Sequence, residues 1–309
     1  MTMNYNLTGN VLRRLCAINF FEVAEDEMLM FGLRGCLPLA GGGHNLGAAA
    51  SLYLTSPDYV HPRCTIGQWL VAADLVAAYP GSTVPHRRHV VAARTKKGRG
   101  TNELMTGRYA DYRKGWHKAG SATGHEAFRQ GASQPVRRTV DDVDYDTDDR
   151  VEYDNVHDNI HAAWCMGVDD ENFASAGCQV VVGYPACAKR GQEPAVGPWA
   201  HFQAAAYGRP QQRFGYLLLG GHEAAAVAAD VPKPRPALLR YGSRGDLVAQ
   251  VQNALAARDH YEGVIDGDFG YRTLRALLGW QSMAFPGSGG DGIVGPMTAA
   301  SLALAWPTV

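Results

Sequence analysis

The chain has 309 residues, of which 46% are apolar and 19% charged, with a formal net charge of −1. That length suits one or two domains with a full core, and the near-zero charge excludes a general attraction to nucleic acid or anionic membranes. Six cysteines are spread through the chain with no Cys-x-x-Cys pair, which fits neither a disulfide framework nor a zinc ribbon. A reducing compartment during synthesis is the simpler reading.

At the N-terminus, Arg13-Arg14 precede a short apolar run, Leu15 to Phe21, that Glu22 ends without a small-residue cleavage site. No stretch approaches the roughly 20 apolar residues of a membrane span. We therefore expect no export signal and no spanning helix. Trp69 to Tyr79 reads as a short helix or strand ending at Pro80-Gly81, and Gly81-Ser82-Thr83-Val84-Pro85 as a turn. Val90 to Ala93 reads as a strand. Arg108 to Gly120 is basic and aromatic, with Tyr109, Tyr112, Trp116 and His117. Ser121-x3-His125 faintly resembles a zinc carboxypeptidase pattern, but no third ligand follows at useful spacing, which leaves His117 and His125 as surface or core histidines or, alternatively, as residues of a substrate cleft. The acidic run Asp141, Asp142, Asp144, Asp146, Asp148 and Asp149 sets Asp142, Asp144 and Asp146 at alternate positions, as a calcium loop counted from Asp142 would. It lacks the glycine at the sixth position and the glutamate at the twelfth, so a solvated loop is expected.

The next stretch carries the chemistry. Phe173-Ala174-Ser175-Ala176-Gly177 is a small-residue turn that delivers Cys178 to a β-branched run, Val180 to Val182. Such a turn can aim backbone N–H groups at the sulfur, as an oxyanion hole does. His161 stands 17 residues upstream, at the end of another strand-like run. If the two strands are neighbours, its imidazole reaches the thiol and favours the nucleophilic thiolate. His157 and His161, four apart, admit a zinc reading, but that site needs a helix and a glutamate, and Asp158-Asn159 disfavour helix. Cys165 and Cys187 lack such a turn and read as structural.

Over these roughly 30 residues the chain resembles the L,D-transpeptidase family. The resemblance implies Cys178 as nucleophile and His161 as general base. Ser175 and Gly177 would shape the turn, and the N–H groups of Gly177 and Cys178 would hold the oxyanion. Trp164, Ala176, His125 and Tyr109 would contact substrate. The chain departs from the family pattern at Ala176, where a second histidine is usual, and at Val180, where an arginine is common.

Asp230-Val231-Pro232-Lys233-Pro234-Arg235-Pro236 alternates three prolines and should be an extended linker. Beyond it lies an internal repeat: Asp266-Gly267, Gly270, Thr273 and Leu277 recur 25 residues on as Asp291-Gly292, Gly295, Thr298 and Leu302. Leu247, Val248, Val251 and Leu255 precede both copies at helical spacing. Pro296 suits a first helical turn. Together with Leu239-Arg240-Tyr241-Gly242, Gln252 and Gln281, this segment resembles the three-helix peptidoglycan-binding domain, whose Asp266, Gly267, Asp291 and Gly292 turns mark the wall-binding module.

The expected fold is α+β: a mainly β catalytic domain over residues 1–229, a linker over 230–237 and a three-helix bundle over 238–309. The expected activity is peptidoglycan hydrolysis through an acyl-enzyme, as in an endolysin of a bacteriophage, whose product waits in the host cytoplasm until lysis and then degrades the wall from the periplasm. A cross-linking L,D-transpeptidase, a zinc wall peptidase and a non-catalytic wall-binding protein are the alternatives. Peptidoglycan is the expected partner, with no nucleic acid, no cofactor and no metal, acting as a monomer.

Overall fold

The computed structural model describes residues 3–39, 45–95, 100–139, 142, 144–146, 149–287 and 289–309. The chain opens with β1 (Asn4–Thr8), and the Thr8 hydroxyl caps α1 (Gly9–Ile18) by accepting the Val11 N–H at 3.2 Å. Five strands follow: β2 (Met28–Arg34), β3 (Cys36–Pro38), β4 (Ala49–Leu54), β5 (Cys64–Leu70) and β6 (Leu75–Ser82). The helix α2 (Arg87–Thr95) leads to β7 (Thr101–Leu104), β8 (Gly107–His117), β9 (His125–Gln130), β10 (Gln134–Thr139) and β11 (Arg150–Asp154). Two short strands, β12 (Ile160–Ala162) and β13 (Gln179–Val181), precede α3 (Pro198–Tyr207), β14 (Arg213–Gly220) and α4 (Gly221–Ala229). The C-terminal helices are α5 (Asp246–Ala256), α6 (Tyr271–Ala284) and α7 (Pro296–Ser301). The N-terminal part is thus β-rich and the C-terminal region helical.

Eight strands close a barrel in the order β12-β13-β6-β5-β2-β14-β8-β9, sealed where Ile160 pairs with Phe128. The pairs β12·β13 and β14·β2 are parallel and the others antiparallel. Closure leaves the barrel itself without a free edge, while β1-β4-β3 and β11-β10-β7 form two open three-stranded sheets. Side chains alternate across each strand. One face of β2, β6 and β14 sends Leu29, Phe31, Val76, Ala78, Leu217 and Leu219 under α1 and α4. The other sends Met28, Met30, Ala77, Tyr79, Tyr216 and Leu218 into a cluster that draws on all eight barrel strands and on Trp199 and Phe202 of α3. With both faces buried, these strands read as continuous apolar runs.

Three local expectations are corrected. Val90 to Ala93 lies within α2, not a strand; His86 Nδ1 accepts the Arg88 N–H at the helix start, and Val90 is the residue of this helix that is buried. Two adjacent valines favour a strand, but here one valine meets the core and its neighbour faces solvent. Trp69 to Tyr79 is not one element: β5 ends at Leu70, one 3-10 turn spans Val71–Ala73, and β6 runs on through Pro80-Gly81 to Ser82. Tyr109 faces the core rather than a substrate. A bulge between Phe214 and Tyr216, which pair with Tyr112 and Tyr109, turns both β8 tyrosines into the buried cluster.

In the acidic run, Asp142 Oδ1 accepts the Asp144 N–H at 2.7 Å, and Arg137 donates to the carbonyls of Asp146 and Asp149. The run's Asp141 and Asp148 lie outside the described residues.

The expected extended linker is corrected in its first half: residues 231–233 form a turn closed by the Lys233 N–H on Asp230 O at 3.3 Å, and the pairing that prolines cannot make begins only with Arg235 and Ala237. Arg235 exchanges hydrogen bonds with Val309, and the Ala237 N–H donates to Pro307 O. The region beyond is docked on the β-rich part. Leu238 N–H donates to Ile18 O at 2.9 Å, Arg244 N–H to Phe20 O at 2.9 Å, and Ser243 Oγ to Asn19 O at 2.6 Å. Arg240, 1% exposed, pairs with Glu223 of α4.

Candidate active site

Parallel β12 and β13 need a crossover, and residues 163–178 supply it. The register sets Ile160 opposite Gln179 and His161 opposite Val180, so Cys178 arrives at the edge of β13 beside the start of β12. Ser175 closes the turn that presents it. Its Oγ accepts the Gly177 N–H at 3.2 Å and donates to Cys178 O at 2.7 Å. Gly177 has φ +137°, and a Cβ there would overlap the Asn102 amide and come 2.6 Å from Asp158 Oδ1, so the position accepts only glycine. The expected pair of oxyanion donors is corrected by the same contact: the Gly177 N–H is bonded to Ser175, which leaves the Cys178 N–H of the two.

A cavity of about 340 Å³ opens over the sulfur. Cys178, His161, His125, Trp164 and Ala176 line it together, as do His117, His89, Thr123 and Ala174. Arg88, Lys118 and Lys189 bring positive charge, and no carboxylate is among the described lining residues. Tyr109 stands elsewhere, its hydroxyl bonded to Met105 O and its ring stacked on Tyr241 at 5.3 Å. His157 does not join His161 as a second metal ligand. It sits at φ +62° and contributes its carbonyl, which accepts the Cys178 S–H at 3.6 Å. The described residues that approach at ligand spacing are His117, His161 and Cys178.

His161 is 2% exposed, and its Nδ1–H donates to Ala162 O at 2.8 Å. A carbonyl only accepts, so Nε2 is left with its lone pair, the state a general base needs. A ring nitrogen of His161 lies within 4.8 Å of Cys178 Sγ. Burial pushes the Cys178 thiol up, with help from Asp158, and burial pushes His161 down, with help from His117 and His125. The resting pair is therefore neutral thiol and neutral imidazole rather than thiolate and imidazolium. Asp158 is held by Asn102 through a short hydrogen bond and by the Gln130 side chain, which accepts the Asp158 N–H at 2.8 Å. Burial raises its carboxyl well above the ordinary range, against the lowering effects of Arg138 and Asn102. Sequence reasoning missed Asn102 and read Asp158-Asn159 only as disfavouring helix; Asn102 lies 56 residues before Asp158, and no motif links them. It placed His117 in an aromatic, basic stretch and weighed it with His125 for a substrate cleft, which both line, but gave it no chemical role.

In the C-terminal region the sequence repeat becomes a repeated hydrogen-bond unit. Gln252 of α5 is 0% exposed; its Oε1 accepts the N–H groups of Asp266 and Gly267, and its Nε2 donates to Asp266 Oδ1 at 2.8 Å and Thr273 Oγ1 at 3.1 Å. Gln281 of α6 does the same for the second turn. It accepts the Gly292 N–H at 2.9 Å and donates to Asp291 Oδ1 at 2.7 Å and Thr298 Oγ1 at 3.2 Å. Gly267 and Gly292 have φ +70° and +75°, which Asp-Gly turns require. These four turn residues are thereby tied to α5 and α6 through Gln252 and Gln281. Val264, Ile265 and Met297 flank them on the exposed surface.

Comparison with curated proteins finds no match, and comparison with solved structures finds none either. The family model of the peptidoglycan binding domain matches residues 244–302, which gives the C-terminal region of this chain a peptidoglycan-binding segment.

Proposed function

We propose that the chain is a peptidoglycan hydrolase that cuts stem-peptide bonds through a Cys178 acyl-enzyme. The observation that carries this reading is the convergence of Cys178 and the His161 Nε2 lone pair on one cavity, from the adjacent ends of two parallel strands, with Ala162 O orienting the base. The wall segment supports the substrate class, because docking on the polymer raises the local concentration of the site. The positive lining suits stem peptides, which bear free carboxylates.

His161 Nε2 takes the proton from Cys178 as the sulfur attacks the scissile carbonyl. The carbonyl oxygen becomes an oxyanion near the Cys178 N–H. On collapse the C–N bond breaks, and the imidazolium returns its proton to the leaving amine. Water then adds to the thioester and loses a proton to His161. The acid leaves and the thiol is restored. An amine in place of water would yield a cross-link, so the acceptor separates hydrolase from transpeptidase. A lytic role of the endolysin kind follows from the hydrolytic branch.

The test uses purified sacculi and the full chain. Wild type is expected to release soluble stem peptides, and Cys178→Ala is expected to release none above background. Equal release by both proteins would refute the thiol mechanism. Loss of release in EDTA would replace it with metal chemistry. Capture of the acyl group by an added amine, in preference to water, would make the enzyme a transpeptidase.

A further inference from the structure

The Cys178–His161 assignment leaves a third ring in the cavity without a role. His117, at the end of β8, lies parallel to His161 with ring centroids 4.1 Å apart and planes 16° from parallel. A ring nitrogen of His117, a ring nitrogen of His161 and Cys178 Sγ all lie within 4.8 Å of one another.

The proton position on His117 is set by Asn159. Gln130 N–H donates to Asn159 Oδ1 at 3.0 Å, which fixes the orientation of the amide. The Asn159 Nδ2 then faces His117 Nδ1 at 2.9 Å. An amide nitrogen only donates, so His117 Nδ1 must accept and the neutral ring carries its proton on Nε2. Burial, His125 and Lys118 lower the His117 pKa to about 4, so the ring is neutral near pH 7. The two neighbouring histidines have the opposite tautomer. His161 Nδ1 faces Ala162 O and His125 Nδ1 faces Thr123 O, each at 2.8 Å, so both keep the proton on Nδ1. The cluster thus contains two rings with bare Nε2 atoms and one with an Nε2–H.

This pattern decides between two uses of the same three groups. The spacing fits a soft divalent cation, but a ligating histidine gives its lone pair to the metal and its other N–H to a neighbour. His117 is arranged the other way round, and ligation through Nε2 would turn the Asn159 amide over and strip the Gln130 N–H of its acceptor. A donor role needs no rearrangement. Proton transfer from Cys178 to His161 creates a thiolate and then an oxyanion in a buried cavity, and only one of the two expected backbone donors is left for it. We propose that His117 is a locked Nε2–H donor that stabilises the anion formed at Cys178. This rests on the assignment of Cys178 as nucleophile.

The test combines ring 15N NMR of the full-length protein with the rate of Cys178 alkylation by iodoacetamide, followed by mass spectrometry across pH 6–9. Three variants are used: His117→Gln places an amide N–H near the Nε2 position, His117→Asn keeps only the Nδ1 end, and His117→Phe keeps the stacked ring without the donor. The expected spectrum has His117 protonated on Nε2 and His161 on Nδ1. Alkylation at a given pH is expected to fall about ten-fold in the Asn and Phe variants, equivalent to a rise of about one unit in the thiol pKa, and to stay within about three-fold in the Gln variant. Wall-peptide release should follow the same order, with losses of about a hundred-fold for the variants without the donor. A His117 proton on Nδ1, or alkylation unchanged in His117→Phe, would overturn the proposal. So would stoichiometric Zn2+ binding by wild type that is lost in His117→Phe, which would assign the three groups to a metal. Alkylation needs no wall substrate, so failure of Cys178→Ala to abolish wall-peptide release would count against the hydrolase reading and not against the measured effect of His117 on the thiol.

Discussion

Gln252 is the most exacting test of how the wall segment is built. Gln252→Met keeps the side-chain volume and removes every polar contact, so packing is held nearly constant. The amide accepts the Asp266 N–H at 3.1 Å and the Gly267 N–H at 3.0 Å. It donates to Asp266 Oδ1, Asp268 O and Thr273 Oγ1. The donor side is cheap to lose: Asp266 is exposed and can be hydrated, and the Thr273 hydroxyl retains Asp268 O as an acceptor at 3.3 Å. The acceptor side is not. Gly267 is buried, and an unpaired buried N–H costs about 1–3 kcal/mol, with a smaller addition for the half-accessible Asp266 N–H. We expect a loss of about 2–4 kcal/mol in urea unfolding, read from the midpoint at unchanged slope. Sacculus binding should weaken in parallel at temperatures where the segment melts. A loss below about 0.5 kcal/mol would show that water replaces the amide, and that the Asp-Gly turn is not anchored by this residue.

Asp158 has a folded pKa raised mainly by burial. The folded protein therefore retains a proton that the unfolded chain releases above a pKa of about 3.9. This contribution to stability is greatest at and below that pH and declines as pH rises toward the folded pKa, at up to about 1.4 kcal/mol per pH unit. Asp158→Asn preserves an acceptor for Asn102 and removes the titration, so its stability relative to wild type should improve between pH 4 and 7; a pH-independent difference would contradict this. Glu223 behaves in the opposite sense. Burial opposes its charge, but Arg240 and the Gly220 N–H outweigh that and hold its pKa low. Its contribution is present above the unfolded pKa of about 4.3 and is lost as pH falls through the folded value. Glu223→Ala would strand the buried Arg240 cation and cost about 3 kcal/mol near neutral pH. Protease cleavage within residues 230–237 should accelerate in that variant, because Arg240 lies where the wall segment joins α4; unchanged cleavage would mean that the pair does not hold the two regions together.

Local spacing was enough to read the C-terminal helices and the two Asp-Gly turns. A turn that needs positive φ leaves a glycine in the sequence, and a helix leaves a 3.6-residue apolar period. The Ser175-to-Cys178 turn was legible for the same reason, since its shape depends on a small hydroxyl residue and a glycine within four positions. The exchange of a strand for a helix at Val90 shows the limit, because burial of one valine and exposure of the next is a tertiary fact. The barrel lay beyond that limit as well. Its closure joins Ile160 to Phe128 and Tyr216 to Met30, pairings between residues far apart in the chain that leave no local signature.

The candidate site divides along the same line. Sequence alone determined which cysteine sits on a presenting turn and which histidine could reach it if two strands were adjacent. Only the tertiary structure decided that those strands are parallel neighbours, that Gly177 spends its N–H on Ser175, and that Tyr109 turns into the core. It also brought His117, Asn159 and Gln130 together, where one backbone N–H and one side-chain amide set the place of one proton. A backbone conformation is encoded by the residues that adopt it. A tautomer is encoded by its neighbours in space, and these come from β8, β9 and the segment before β12.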